Sequence, residues 1–174
     1  ASKIIQIIKE TEIAENQRII NQSLLNTKPI TTIFKIDLKV PTGYLYALQK
    51  TNFIWLKKEI ISGNNSILIY QVPISSIKNS SNIITNIIKT RDSIGNLYIR
   101  GTELDTQMIT EEGYSPYLFK LKLNGKETYE TKGTWELKND FMSGPFVNYA
   151  IFDKEHNRVL VLEGFCYSPS KEER

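Results

Sequence analysis

"YLFKLKLNGKETYETKGTWELK", residues 117–138, decides the fold. Two strand-like runs flank Asn124-Gly125. Both turn residues tolerate a positive φ, so the pair predicts a tight hairpin between antiparallel strands. Downstream, "FVNYAIFD" (146–153) and "RVLVLEGFCYSP" (158–169) read as a second hairpin over the turn "KEHN" (154–157).

Upstream, "IFKIDLKVP" (33–41) alternates. Phe34, Ile36, Leu38 and Val40 fall on one face and Lys35, Asp37 and Lys39 on the other, the pattern of a half-buried strand. Thr42-Gly43 then turns the chain. "NFIWLKKEI" (52–60) is a second strand, "SGNNS" (62–66) a loop, and "ILIYQVP" (67–73) a third strand closed by Pro73. Its unbroken apolar start places it centrally in the sheet.

Two segments carry helical spacing. In 3–25 the apolar positions are Ile4, Ile5, Ile8, Ile13, Ile20 and Leu24, and Pro29 follows as a stop. In 80–95 they are Ile83, Ile84, Ile87, Ile88 and Ile94, with Arg91 on the same stripe. Ser80 or Ser81 serves as N-cap, and Gly95 ends the helix. Residues 95–116 read as irregular, with one short strand near "TQMIT" (106–110). The order predicts an α+β fold: a twisted, mainly antiparallel sheet of about six to seven strands with two main helices packed on it. Residues 1–174 are read as a single domain. The strands "FIWLKK", "ILIYQV" and "VLVLEGF" place apolar residues on both sides, so both sheet faces need cover.

The 174 residues are 40% hydrophobic and 24% charged, which suits a folded globular chain. Lys+Arg is 22 against Asp+Glu 19, and the basic residues are spread out. Nucleic-acid binders concentrate positive charge on one face, so nucleic acid is not the expected partner. No apolar run is long enough to span a bilayer. The single cysteine, Cys166, cannot form an internal disulfide and reads as a small buried residue.

Few chemistries have the residues they need. Phosphate-loop and dinucleotide glycine patterns are missing. One histidine, His156, and one cysteine give too few ligands for a zinc site, so neither metal nor cofactor is expected. No serine sits in a nucleophile elbow, and no catalytic residue is assigned. Glu163 shares a strand face with Val159, Val161 and Phe165. A carboxylate there is either a general acid or the partner of a cation such as Arg158, Arg100 or Lys132. Glu111-Glu112 read as a solvated loop. Trp55 and Trp135 are core residues or a stacking platform, with core the simpler reading.

"GTWELKNDFMSGPFVNYAIFDKEHNRVLVLEGFCYSP" (133–169), with Trp135, Asp140, Phe141, Met142, Gly144, Pro145, Phe146, Tyr149, Gly164 and Tyr167, resembles the signature of the Bacteroidota family known as domain of unknown function 4837. "LKVPTGYLYALQKTNFIWLKKE" (38–59) matches a second block, and Ser143 departs from the pattern, which more often has glycine there. The resemblance implies the C-terminal half of an envelope lipoprotein, anchored on the periplasmic face, with helix 3–25 a connector from a preceding domain. It also implies an amphipathic helix further downstream, and it assigns no catalytic residue. The order of the blocks looks like PsbP/Mog1-type domains, a likeness of fold alone.

Physically, "KNDFMSGPFV" (138–147) reads as a corner. Asp140 accepts from backbone N–H groups two residues on, and Gly144 and Pro145 form the structural bend. Phe141, Met142 and Phe146 plug one end of the core or present a binding surface. The expected binding residues are thus Trp135, Asp140, Phe141, Met142, Phe146 and Glu163. The expected function is a non-enzymatic envelope domain that binds another envelope protein or serves as a scaffold. The alternative is a hydrolase or binding protein acting on a cell-wall or glycan component.

Overall fold

The computed structural model describes residues 2–169. The chain divides into two compact units, residues 1–45 and 46–174.

The first unit begins with helix α1 (Ser2–Asn21), which stops four residues short of the periodic stretch. Ile4, Ile8 and Ile13 of its apolar stripe are exposed, and Ile20 is half-buried. Helix α2 (Lys28–Phe34) follows after the connection 22–27. Pro29, expected as a stop, instead lies in the first turn of α2, where its missing N–H costs nothing. Lys35, at φ 57°, ends the helix.

The strand expected over 33–41 is therefore part helix and part extended chain. Val40 is buried, Ile36 and Leu38 are half-buried, and Lys35, Asp37 and Lys39 are exposed, so the alternation is real. The ladder is missing: the segment's pairing among the described residues is a bridge of Pro41 to Leu24, with Leu25 N donating to Val40 O and Thr42 N to Ser23 O.

The second unit is an α+β sandwich built on one sheet of β1 (Leu45–Lys50), β2 (Phe53–Ile60), β3 (Gly63–Val72), β4 (Met108–Thr110), β5 (Tyr117–Leu123), β6 (Lys126–Leu137), β7 (Ser143–Asp153) and β8 (Arg158–Tyr167). The order is β1-β2-β3-β8-β7-β6-β4, and β5 pairs with β6 beside β4. The central place expected for "ILIYQVP" holds, with β3 between β2 and β8. Gly63–Ser66, expected as loop, extend β3. Asn124 (φ 48°) and Gly125 (φ 75°) make the turn foreseen between β5 and β6.

Between β3 and β4 run the short helix α3 (Ile74–Ile77) and helix α4 (Ile83–Tyr98). Asn82, not Ser80 or Ser81, caps α4, accepting from Ile84 N at 3.0 Å. Gly95 lies within the helix rather than ending it. A Cβ there would run into the Met108 carbonyl, so the glycine lets α4 lie close against β4.

Ile77 and Ile87 of the helices join Phe53, Leu68, Tyr70, Phe152, Val159, Val161 and their neighbours in one core on the helical face. On the opposite face Ile54, Leu56 and Ile69 are also fully buried, so the middle strands are not left bare. Exposed apolar surface gathers instead on edge strand β5, at Tyr117, Phe119 and Leu123.

Candidate functional site

The "KNDFMSGPFV" stretch joins β6 to β7, and its aromatic residues have separate fates. Trp135 on β6 stands opposite Gly144 on β7. Its Nε1 reaches across that glycine and donates to Cys166 O on β8 at 3.0 Å. The indole is buried, edge-on to Phe165 at 5.6 Å between ring centroids. Phe146 is buried too, and Met142 packs against the core. Gly144 has no positive φ, and its requirement is steric: a Cβ would strike the Cys166 carbonyl and press on the Trp135 ring. Pro145 is exposed at its side. Cys166, expected to be buried, is half-buried.

Phe141 does the opposite of plugging the core. It is fully exposed, at 104% of its reference area. The turn beneath it is closed by Leu137 N to Met142 O (2.8 Å) and Asp140 N to Leu137 O (3.0 Å). Asp140 Oδ1 accepts from Phe141 N, the next residue rather than two residues on, at 2.6 Å. A second loop is tied to this turn: Lys138 N donates to Gln107 O (2.9 Å) and Asn139 Nδ2 to Asp105 O (3.3 Å). That loop carries Leu104, which is 93% exposed. Asp105 (φ 58°) and Asn139 (φ 61°) take left-handed conformations that fix the two bends. Two large apolar side chains are thus held out in solvent on neighbouring, cross-braced loops.

Glu163 is 1% exposed and belongs to the core. Its Oε1 accepts from Arg91 Nε at 2.8 Å and from Asn148 Nδ2 at 3.0 Å. Arg91, equally buried, is not among the three cations weighed from the sequence. It descends from α4, donates Nη1 to Thr110 Oγ1 at 3.0 Å, and lies over the Phe146 ring at 3.8 Å. Thr110 in turn donates N and Oγ1 to Asp92 Oδ1, each at 2.8 Å. Burial, then the nearby Glu163 carboxylate, pushes the Tyr70 hydroxyl well above the ordinary tyrosine range, so it stays protonated. The signal for this cluster stood in the sequence: an arginine on an apolar helix stripe and a glutamate on an apolar strand face are natural partners.

A second charged cluster lies at the far end of β7. Asp153, Glu155 and His156, at the β7–β8 turn, bring ligand atoms within 4.8 Å of one another. The Asp153 carboxylate is already taken: Lys126 Nζ lies at 3.1 Å, Arg158 Nε at 2.9 Å and His156 Nδ1 at 2.8 Å. A metal ion would have to displace two cations, so the group is a poor ligand set. Burial opposes the charge on Asp153, yet hydrogen bonds from Lys126, Arg158 and His156 prevail and hold its carboxyl down to about 2. At the start of the 111–116 loop, Glu111 accepts from Gly113 N at 2.7 Å and shares a hydrogen bond with Glu136, which lowers the first carboxyl and raises the second.

A sequence profile for a domain of unknown function, DUF4837, matches residues 23–174. The chain belongs to this family. In this DUF4837 protein α1 precedes the matched stretch, while the whole sheet and the Phe141 turn fall inside it. No curated protein matches the chain. Among solved structures, the Saccharomyces cerevisiae Ran-binding protein Mog1p is similar at 12% identity and a TM-score of 0.44, over 78% of this chain and 72% of Mog1p. No helix among the described residues of this DUF4837 protein is long and apolar enough to cross a membrane.

Proposed function

We propose that this domain is a non-enzymatic binding module of a Bacteroidota envelope lipoprotein, facing the periplasm and docking another envelope protein through the Phe141–Leu104 tip. The full exposure of Phe141 on a hydrogen-bonded turn carries the reading. A pre-ordered apolar anchor loses little entropy on binding, which suits it to fill a partner's pocket. The two loops carry Glu103, Asp105 and Asp140 against Arg100 and Lys138. The partner's pocket therefore has an apolar floor and a basic rim. The carboxylates an enzyme would use are otherwise engaged: Glu163 in a buried ion pair, and Asp140 in capping its own turn. Trp135, which a glycan platform would need in solvent, is buried.

The test places a photo-crosslinking amino acid at position 141 of the full-length lipoprotein in native envelopes. A discrete crosslinked species, missing when the probe sits at exposed Lys122, supports the reading. Identical patterns from the two positions overturn it.

A further inference from the structure

A second site lies elsewhere on the same unit, between the outer side of α4 and the loop 111–116. Ile84, Ile88 and Asp92 follow one another at intervals of four residues and form one ridge, each about 6 Å beyond the last. With Pro116 and Glu112 opposite, this ridge lines a cleft of about 360 Å³. That is the size of a small ligand pocket, about 300 Å³ or more. Its α4 wall is aliphatic at Ile84 and Ile88 and acidic at Asp92.

The acidic end is rigid. Asp92 Oδ1 is held by Thr110 N and Oγ1 at 2.8 Å, and Thr110 is held by Arg91, itself locked to Glu163. Asp92 Oδ2 is the oxygen left for a ligand. Arg91 also stands 3.7 Å from Asp92, but its charge is shared with Glu163. Lys89 lies at the rim and is paired with neither carboxylate among the described residues. Two carboxylates against one ammonium leave the cleft acidic.

We infer that this cleft receives a lysine side chain of a partner polypeptide. The stem of the lysine packs along Ile84, Ile88 and Pro116, and its ammonium reaches Asp92 and Glu112 one helical turn further on. A lysine buries its stem against apolar surface while its charged head keeps polar company, which matches the division of this cleft. The buried Arg91–Glu163 pair then has a role beyond packing: through Thr110 it fixes the Asp92 carboxylate before the ligand arrives.

The test titrates N-acetyl-lysine-methylamide into the chain and follows the Ile84 and Ile88 methyl signals by NMR. The expected result is a saturable shift, weakened about tenfold by Asp92→Asn and reduced at high salt. The norleucine analogue, which has the stem without the ammonium, binds far more weakly. Glu112→Gln, on an exposed loop, weakens binding severalfold and carries the test if Asp92→Asn fails to fold. Phe141→Ser leaves the titration unchanged, so failure here and failure of the Phe141 tip are separable. No saturable shift, equal binding of the norleucine analogue, or full binding by Glu112→Gln together with a folded Asp92→Asn overturns the assignment.

Discussion

A Cβ on Gly144 would collide with the Cys166 carbonyl while Trp135 closes over it from above. Gly144→Val is expected to destabilise the domain by about 2–3 kcal/mol, read from chemical denaturation. Full stability would mean that the β7–β8 spacing at the corner is not fixed. Glu163 and Arg91 behave as a unit. Glu163→Ala takes from a buried guanidinium its nearest charge partner, leaving only Asp92 at 3.7 Å, and should cost about 3–5 kcal/mol. Arg91→Met combined with Glu163→Leu should recover most of that loss, because no lone charge remains. A double variant as unstable as the single one would contradict this account. Both partners of the pair were visible as polar residues on apolar faces. Their mutual identity was not, since 72 residues separate them and only the docking of α4 on the sheet joins them.

The β7–β8 hairpin closes on Asp153, held by Lys126, Arg158 and His156. Its carboxyl is lowered from 3.8 to about 2 in the folded chain. A depressed carboxyl stabilises the fold above the unfolded value, and that contribution disappears as pH falls through the folded one. About 2 kcal/mol should be present at neutral pH and lost between pH 4 and 2. Asp153→Asn should flatten acid unfolding in that window. An unchanged profile would show that Lys126, Arg158 and His156 do not hold the carboxylate. The elements themselves were legible where turn chemistry was strong. Asn124-Gly125 gave the β5–β6 hairpin, and the alternating runs gave β7 and β8. The 34–40 segment misled because alternation records only that a chain is extended with one side buried. A strand also needs a neighbour to complete its ladder, and among the described residues the pairing here is one bridge, from Pro41 to Leu24. Pro29 misled because a proline suits the first turn of a helix as well as the chain after one.

At the scale of the molecule, the aromatic stretch 134–153 divides its labour. Trp135 and Phe146 hold the sheet's interior, Gly144 and Pro145 shape the bend, and Phe141 faces solvent. Composition could mark this stretch but not sort it, because the direction of each side chain depends on the hydrogen bonds of one turn and on the loop that braces it. The division makes opposite demands on two phenylalanines. Phe146→Ser should cost about 3–5 kcal/mol, as loss of a buried ring does. Phe141→Ser should leave unfolding within about 0.5 kcal/mol of the parent, as an exposed substitution does. The measurement that bears most directly on the proposed binding role sets stability beside association for Phe141→Ser in the full-length protein. Its melting temperature should match the parent while the crosslink to the proposed partner from a probe at position 104 disappears. A Phe141→Ser protein that melts normally and still forms that crosslink in full would contradict the account.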